Sequence, residues 1–171
     1  MKAILLSIRP EWCDLIIQHK KTVELRKTRP NLQTPFKVYI WCTKARKFWA
    51  RVHGNGWQQL DERVIGEFIC DDIRRIGPEY CVVKEDIESA ISGSCLTVPQ
   101  VKYYAGWKPG MSYADLKDLY GWHISDLKIY DEPVKLKNFQ TKRMDRRGGG
   151  LKDICNPPQS WIYLEEPEVQ K

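Results

Sequence analysis

The sequence predicts an α+β protein, built as a small mixed β-barrel of about five to six strands flanked by short helices. Three observations lead to this class. Short apolar runs with strand-like character are mixed with short segments of helical periodicity, and they do not alternate regularly as βαβ units would. The chain has 171 residues, of which 42% are hydrophobic. It can therefore bury a core as one domain, over residues 1–171, without disulfides or a metal.

The first half of the chain begins with a strand and a helix. Lys2–Ser7 is the first predicted strand, and Pro10 then begins a helix, because the first turn does not need its missing N–H. The helix is predicted to end at Lys21, since cations are favoured at its carbonyl end. Thr22–Lys27 and Phe36–Thr43 follow as the second and third strands.

The second half combines one long strand with shorter elements. Arg63–Ile76 is predicted as a single bent strand, because Gly66 would weaken a straight one. Three helices are predicted next, at Lys84–Ser92, Pro99–Ala105 and Ser112–Tyr120. The last two strands are predicted at His123–Tyr130 and Ser160–Glu165.

Two basic segments carry much of the net charge of +6. Near 44–60 the sequence predicts an inserted arm or hairpin, with Lys44 and Arg46 among tryptophans and a turn signal at 53–56. Near 141–158, two arginines followed by three glycines indicate a mobile basic loop that orders on a ligand. Cations interleaved with aromatic rings suit unpaired bases and phosphates, although each segment could equally be an ordinary solvated loop or, for the arm, a packed hairpin.

A row of polar residues follows the first helix. Thr22, Glu24 and Arg26 share one face of the second predicted strand, since successive side chains point to opposite faces. Lys21 precedes this row at the turn. Such a row is either a solvated strand face or the wall of a polar pocket.

The start of the chain contributes to the same place if the first two strands are neighbours. Ser7 then lies near the polar row, and Arg9 lies beside a helix N-terminus, which favours anions. Arg9 and Lys21 could bind phosphate, while Glu24 and Arg26 could contact a base edge. Alternatively, Glu24 forms a purely structural salt bridge with either neighbouring cation.

These motifs resemble the opening of the ASCH domain, a relative of the PUA-like RNA-binding fold. The resemblance rests on Ser-x-Arg-Pro from Ser7, an amphipathic helix, and Lys-Thr-Val-Glu-x-Arg from Lys21. Later segments at 64–68, 122–130 and 157–161 resemble ASCH proteins carried by phages and prophages. The resemblance implies a cleft beside the first helix that takes nucleic acid or a nucleotide-like ligand. The candidate ligand-binding residues are Ser7, Arg9, Lys21, Thr22, Glu24, Arg26, Lys44, Arg46 and Ser160.

The expected function is an RNA- or nucleotide-binding module. One branch of the resembled family removes the acyl group from acetylated cytidine with a Lys-Thr-x-Thr-x-Arg motif, but Glu24 replaces its proposed threonine nucleophile. An alternative is therefore a small hydrolase, an amidohydrolase or ribonuclease, with Lys21 and Glu24 as catalytic residues. A third possibility is a phage accessory protein that acts through protein partners, none of which the sequence identifies.

No metal site, cofactor or membrane association is predicted. The six cysteines form no Cys-x-x-Cys pair and the three histidines are far apart, whereas zinc sites have closely spaced ligand pairs. Cys13, Cys42 and Cys70 are interpreted as small buried hydrophobic residues in a reducing compartment. No apolar run reaches the length of a membrane span, and Met1 leads directly into a strand, so a cytoplasmic protein is expected.

Overall fold

A computed structural model describes residues 2–45, 49–51, 57–77, 79, 84–108, 110–145 and 148–165. The strands among them are β1 Lys2–Ile8, β2 Val23–Arg26, β3 Phe36–Cys42, β4 Trp49–Arg51, β5 Trp57–Gln59, β6 Arg63–Cys70, β7 Ile73–Ile76, β8 Leu119–His123, β9 Ser125–Val134, β10 Gln140–Asp145, β11 Gly148–Asp153 and β12 Trp161–Glu165. The α-helices are α1 Pro10–Ile17, α2 Lys84–Ala90 and α3 Val98–Ala105.

These strands form two sheets and two hairpins. The larger sheet has the order β12-β1-β3-β6-β9, in which only β1 and β3 run parallel. The smaller sheet is antiparallel, with the order β2-β8-β7. The α+β class is thus confirmed. Pairings among the described residues leave the two sheets separate, so closure into a barrel stays a prediction.

The smaller sheet lies between two hydrophobic cores. Its buried Trp122 belongs to the main core, together with Ile4 of β1 and Phe68 of β6. Its other face, through Leu25, packs in a second core with residues of α2 and α3. The opposite face of the larger sheet covers a third core, which includes residues next to the β10–β11 hairpin. Side chains of β2 therefore point either between the two sheets or towards the helices.

Two predicted strands each divide between the sheets. Arg63–Ile76 forms β6 in the larger sheet and β7 in the smaller one, and the exposed pair Asp71 and Asp72 makes the crossing. The predicted bend is thus present, but it lies beyond Gly66. The predicted strand from His123 likewise divides, because β8 ends at His123 and β9 begins at Ser125 in the other sheet.

The prediction of a helix at Ser112–Tyr120 is wrong. Only a 3₁₀ turn forms there, at Tyr113–Asp115, and β8 then begins at Leu119. The reason is tertiary, since β8 is the middle strand of its sheet and pairs with β2 on one side and β7 on the other. The helix α1 is also shorter than predicted, because the chain turns at His19 with a φ of 56°.

The two basic segments contain hairpins. The arm near 44–60 includes the β4–β5 hairpin, while its turn at 53–56 lies outside the described residues, as does Arg46. The prediction of a loop at 141–158 needs correction, because β10 and β11 pair over six positions there. The hydrogen bonds between these strands pair backbone N–H and C=O groups that would bond to water in a loop. Arg146 and Arg147 lie outside the described residues, and ordering of the segment on a ligand stays a prediction.

None of the described helices combines the length and the apolar character that crossing a membrane requires. A cytoplasmic location stays a prediction, as does the single-domain organisation.

Replacement of Gly66 by alanine tests the close approach of β6 and β9. An added Cβ would lie 2.4 Å from the Lys128 carbonyl oxygen, so the strands would have to separate. We expect Gly66→Ala to lower the free energy of unfolding by about 1–3 kcal/mol, measured by urea denaturation. The control is Gly150→Ala, where no atom lies within 4 Å. Its expected change is within about 0.5 kcal/mol, and an equal loss in both variants would contradict the packing argument.

Candidate functional site

The polar row after α1 forms a buried charged cluster of Lys21, Glu24 and Arg26. Their exposed fractions are 1%, 6% and 7%. One carboxylate oxygen of Glu24 lies 3.1 Å from Lys21 Nζ, and the other lies 3.0 Å from Arg26 Nη2. The row is therefore not a solvated strand face, and Glu24 pairs with both cations at once.

Both cations also donate to distant parts of the chain. Lys21 Nζ donates to the Ser94 carbonyl at 2.6 Å and lies 5.2 Å from the centre of the Trp12 ring. Arg26 donates from Nη2 to the Ser7 carbonyl and from Nη1 to the Ser160 hydroxyl, the latter at 3.5 Å. The charged cluster thus joins α1, β1, the loop after α2 and the residue before β12.

Strand geometry places the charged cluster between the sheets. Val23 and Leu25 pack towards the second core, so Glu24 and Arg26 point the other way. Glu24 is paired in register with Trp122 of β8, which is fully buried in the main core. Water is therefore largely excluded from this side of β2, which strengthens the ion pairs.

The charged cluster carries one positive charge in excess, because two cations share one carboxylate. In addition, Arg26 Nε is buried and has no hydrogen-bond partner among the described residues. A buried charged donor without an acceptor is unfavourable by itself. Arg26 Nη2 is engaged by Glu24 and the Ser7 carbonyl, so the unmet hydrogen bond is the one at Arg26 Nε.

Tyr104 lies near Arg26 and Glu24 of the charged cluster and near Arg9 and Lys27, and we call Arg9, Lys27 and Tyr104 the rim. Burial raises the pKa of the Tyr104 phenol, and the nearby Arg26 opposes that rise, as does Arg9 more weakly. Lys27 Nζ lies 5.1 Å from the centre of the Tyr104 ring. Arg9 is exposed. Sequence reasoning missed Tyr104, because nothing in the pattern of α3 shows that this helix packs beside β2.

The structure brings together some predicted site residues and separates others. The Ser160 hydroxyl lies 3.5 Å from Arg26 Nη1. The Ser7 hydroxyl donates to the Pro158 carbonyl at 2.6 Å. Ser7 therefore contacts Arg26 through its backbone carbonyl and not through its hydroxyl. Thr22 precedes β2, is exposed and lines a separate cavity. Lys44 is exposed after β3, and no contact between described residues joins it to the charged cluster.

The geometry suits binding better than the predicted catalytic roles of Lys21 and Glu24. A general base needs a lone pair free to face the substrate, but a cation engages each Glu24 oxygen. Lys21 is similarly occupied by Glu24 and the Ser94 carbonyl. In addition, Glu24 stands at the position of the proposed threonine nucleophile of the resembled acetylcytidine motif, so that hydroxyl is absent there.

Cysteine and metal chemistry find little support among the described residues. Cys13, Cys42 and Cys70 are buried, while Cys95 and Cys155 are exposed and Cys81 lies outside the described part. Burial raises the pKa of Cys70 to about 12 and that of Cys13 well above its usual value, so both remain thiols at neutral pH. Within the described ranges, no three histidine, cysteine or acidic side chains are grouped as a metal ion requires.

Comparison with solved structures identifies the fold. The crystal structure of ASCH from Zymomonas mobilis is similar with a TM-score of 0.61 and 19% sequence identity, covering 96% of this chain and 88% of that one. A tyrosine-to-phenylalanine variant of that protein gives 0.60 and 19%, covering 97% and 92%. A serine-to-alanine variant gives 0.60 and 18%, covering 96% and 89%. No protein-family model and no curated protein matches the chain. The chain has the ASCH fold, and an origin in phage stays a prediction.

Replacing Lys21 by methionine tests whether the charged cluster stabilises the fold. Lys21→Met keeps the length of the side chain but leaves a Glu24 oxygen and the Ser94 carbonyl without their donor. We expect the free energy of unfolding to fall by about 3–5 kcal/mol, measured by chemical denaturation. The control is Lys20→Met at the exposed neighbouring position, which we expect to change it by less than about 0.5 kcal/mol. Equal stabilities of the two variants would contradict a structural role for Lys21.

Proposed function

We propose that this protein binds RNA or a nucleotide-like ligand at the charged cluster and its rim. The observation that carries the proposal is the excess positive charge of the cluster, combined with the unpartnered Arg26 Nε. A phosphate oxygen would supply both the missing acceptor and the missing negative charge.

The residues around Arg26 suit a phosphate group. The Ser160 hydroxyl is a neutral donor next to the guanidinium, and Arg9 adds a second cation at the surface. Arg9 also directly precedes α1, whose N-terminus favours negative charge. The net charge of +6 would attract a polyanion over longer distances.

Tyr104 of the rim supplies a contact for the base of the same nucleotide. Its ring is partly buried and carries Lys27 at the distance of a cation–π interaction. An aromatic ring beside cations is the combination that stacks an unpaired base and holds its phosphate. The proposal therefore favours single-stranded over duplex RNA.

The hydrolase and accessory-protein alternatives have weaker support. Hydrolysis by Glu24 would require the carboxylate to leave at least one of its two cations first. Action through protein partners would leave the positive charge of the cluster without a purpose.

Replacement of Arg9 tests the proposal with little disturbance of the fold, because its side chain is exposed. Binding of a fluorescent single-stranded RNA is measured by anisotropy over a range of salt concentrations. Arg9→Gln should weaken binding about fivefold and reduce the slope of log K against log salt by about 0.7, as expected for one lost phosphate contact. The matched control is Lys128→Gln on β9, at the opposite end of the larger sheet from β12. Equal losses in the two variants would indicate non-specific attraction and contradict the proposed site.

Ser160→Ala tests the inner part of the site without removing a charge. The variant loses a hydroxyl that is held only by a long contact to Arg26, so we expect stability to change by less than about 1 kcal/mol. Affinity for the RNA should fall about threefold to tenfold if this hydroxyl donates to phosphate. Unchanged affinity in Ser160→Ala, together with unchanged affinity in Arg9→Gln, would refute binding at the charged cluster.

A further inference from the structure

A cavity of about 260 Å³ lies beside Thr22, and none of the charged cluster residues lines it. We call it the His123 pocket. Its polar lining is formed by Thr22, Asp72, Arg74, Ser92 and His123. Apart from Thr22, none of these residues belongs to the predicted site.

Arg74 contributes a hydrogen-bond donor to the His123 pocket, and Asp72 contributes an acceptor. Arg74 belongs to β7 and Asp72 directly precedes that strand, and both residues line the pocket. Both side chains are exposed, and neither forms an ion pair with a described residue. A ligand can therefore use both groups without breaking an existing interaction.

His123 is held by a partner outside the lining. Its Nδ1 lies 2.6 Å from an Asp71 carboxylate oxygen. The hydrogen bond from His123 lowers the pKa of Asp71, so this carboxylate is ionised at neutral pH and orients the ring. Nε2 remains the ring nitrogen available to a ligand.

The remaining lining is apolar and small, which suits a flat ring. It consists of Val23, Ala90, Gly93 and Gly121. Gly93 has a φ of 78°, and a Cβ there would lie 2.3 Å from the Thr22 hydroxyl oxygen. Only glycine therefore allows the loop after α2 to lie this close to Thr22.

We infer that the His123 pocket binds a nucleobase, with guanine as the best fit. Guanine presents acceptors at O6 and N7 for Arg74, and N–H donors at N1 and N2 for Asp72. The choice of a nucleobase rests on the proposed function. A simple anion fits less well, because Asp72 and the ionised Asp71 offset the charge of Arg74.

The His123 pocket and the charged cluster share one wall. The Gly93 carbonyl accepts the backbone N–H groups of Thr22 and Val23 at 2.9 and 3.0 Å. The next carbonyl, that of Ser94, accepts Lys21 Nζ. One RNA strand could therefore place a phosphate at the charged cluster and a neighbouring base in the His123 pocket.

The test uses uncharged nucleosides, so that base recognition is separated from phosphate recognition. The full chain, labelled with ¹⁵N, is titrated with guanosine, uridine or inorganic phosphate and followed by NMR. Guanosine should shift the signals of Thr22, Gly93 and His123, and it should bind at least about fivefold more tightly than uridine. Arg74→Gln and Asp72→Asn should each weaken guanosine binding about tenfold or more, since each removes one side of a paired contact.

The matched control is Arg75→Gln. Arg75 is the next residue of β7, pairs with Asp118 and Glu79, and is absent from the lining of the His123 pocket. This variant should bind guanosine as the unmodified chain does. Shifts at His123 caused by phosphate but not by guanosine would overturn the inference, as would equal losses in Arg74→Gln and Arg75→Gln. If guanosine does not bind while RNA binding still depends on Arg9, this inference is refuted and the proposed function stands.

Discussion

The ion pairs of Glu24 with Lys21 and Arg26 are the interaction on which the site and its surroundings depend. A carboxylate so deeply buried is stable only with partners, and here each of its oxygens has a cation. Each cation in turn reaches a backbone carbonyl far away in the sequence, at Ser94 or Ser7. The ion pairing of Glu24 thus fixes the positions of three segments relative to one another: residues 21–26, Ser7 of β1 and Ser94 after α2.

The same interactions suit the proposed binding of an anion better than they suit acid–base chemistry by Glu24. Two cations around one carboxylate leave an excess of positive charge. The surrounding core keeps out the water that would otherwise screen this charge. Both carboxylate oxygens of Glu24 are engaged by cations, so Glu24 organises the site and leaves no oxygen free for a substrate. The groups nearer the surface are the Ser160 hydroxyl, Arg9 and Tyr104, whereas Arg26 Nε is buried beside the cluster.

The segment from Lys21 to Glu24 connects two different kinds of recognition. It contributes Lys21 and Glu24 to the charged cluster, and at Thr22 it lines the His123 pocket, which offers a donor, an acceptor and small apolar residues. The loop at Gly93 and Ser94 contacts both. The ASCH fold makes this possible because the smaller sheet lies between the larger sheet and the helices, so that successive residues of one strand serve different surfaces.

The sequence by itself determined β1, α1, β2 and the grouping of Lys21, Glu24 and Arg26, because these depend on local periodicity and on alternation along a single strand. Tertiary structure alone decided that Leu119–His123 is a strand, since its pairing partners β2 and β7 are distant in the sequence. It also decided that Tyr104 lies near Arg26 and that Thr22 faces another cavity. Contacts between remote segments leave no periodic pattern in either one, so their physical origin becomes visible only when the sheets and helices pack together.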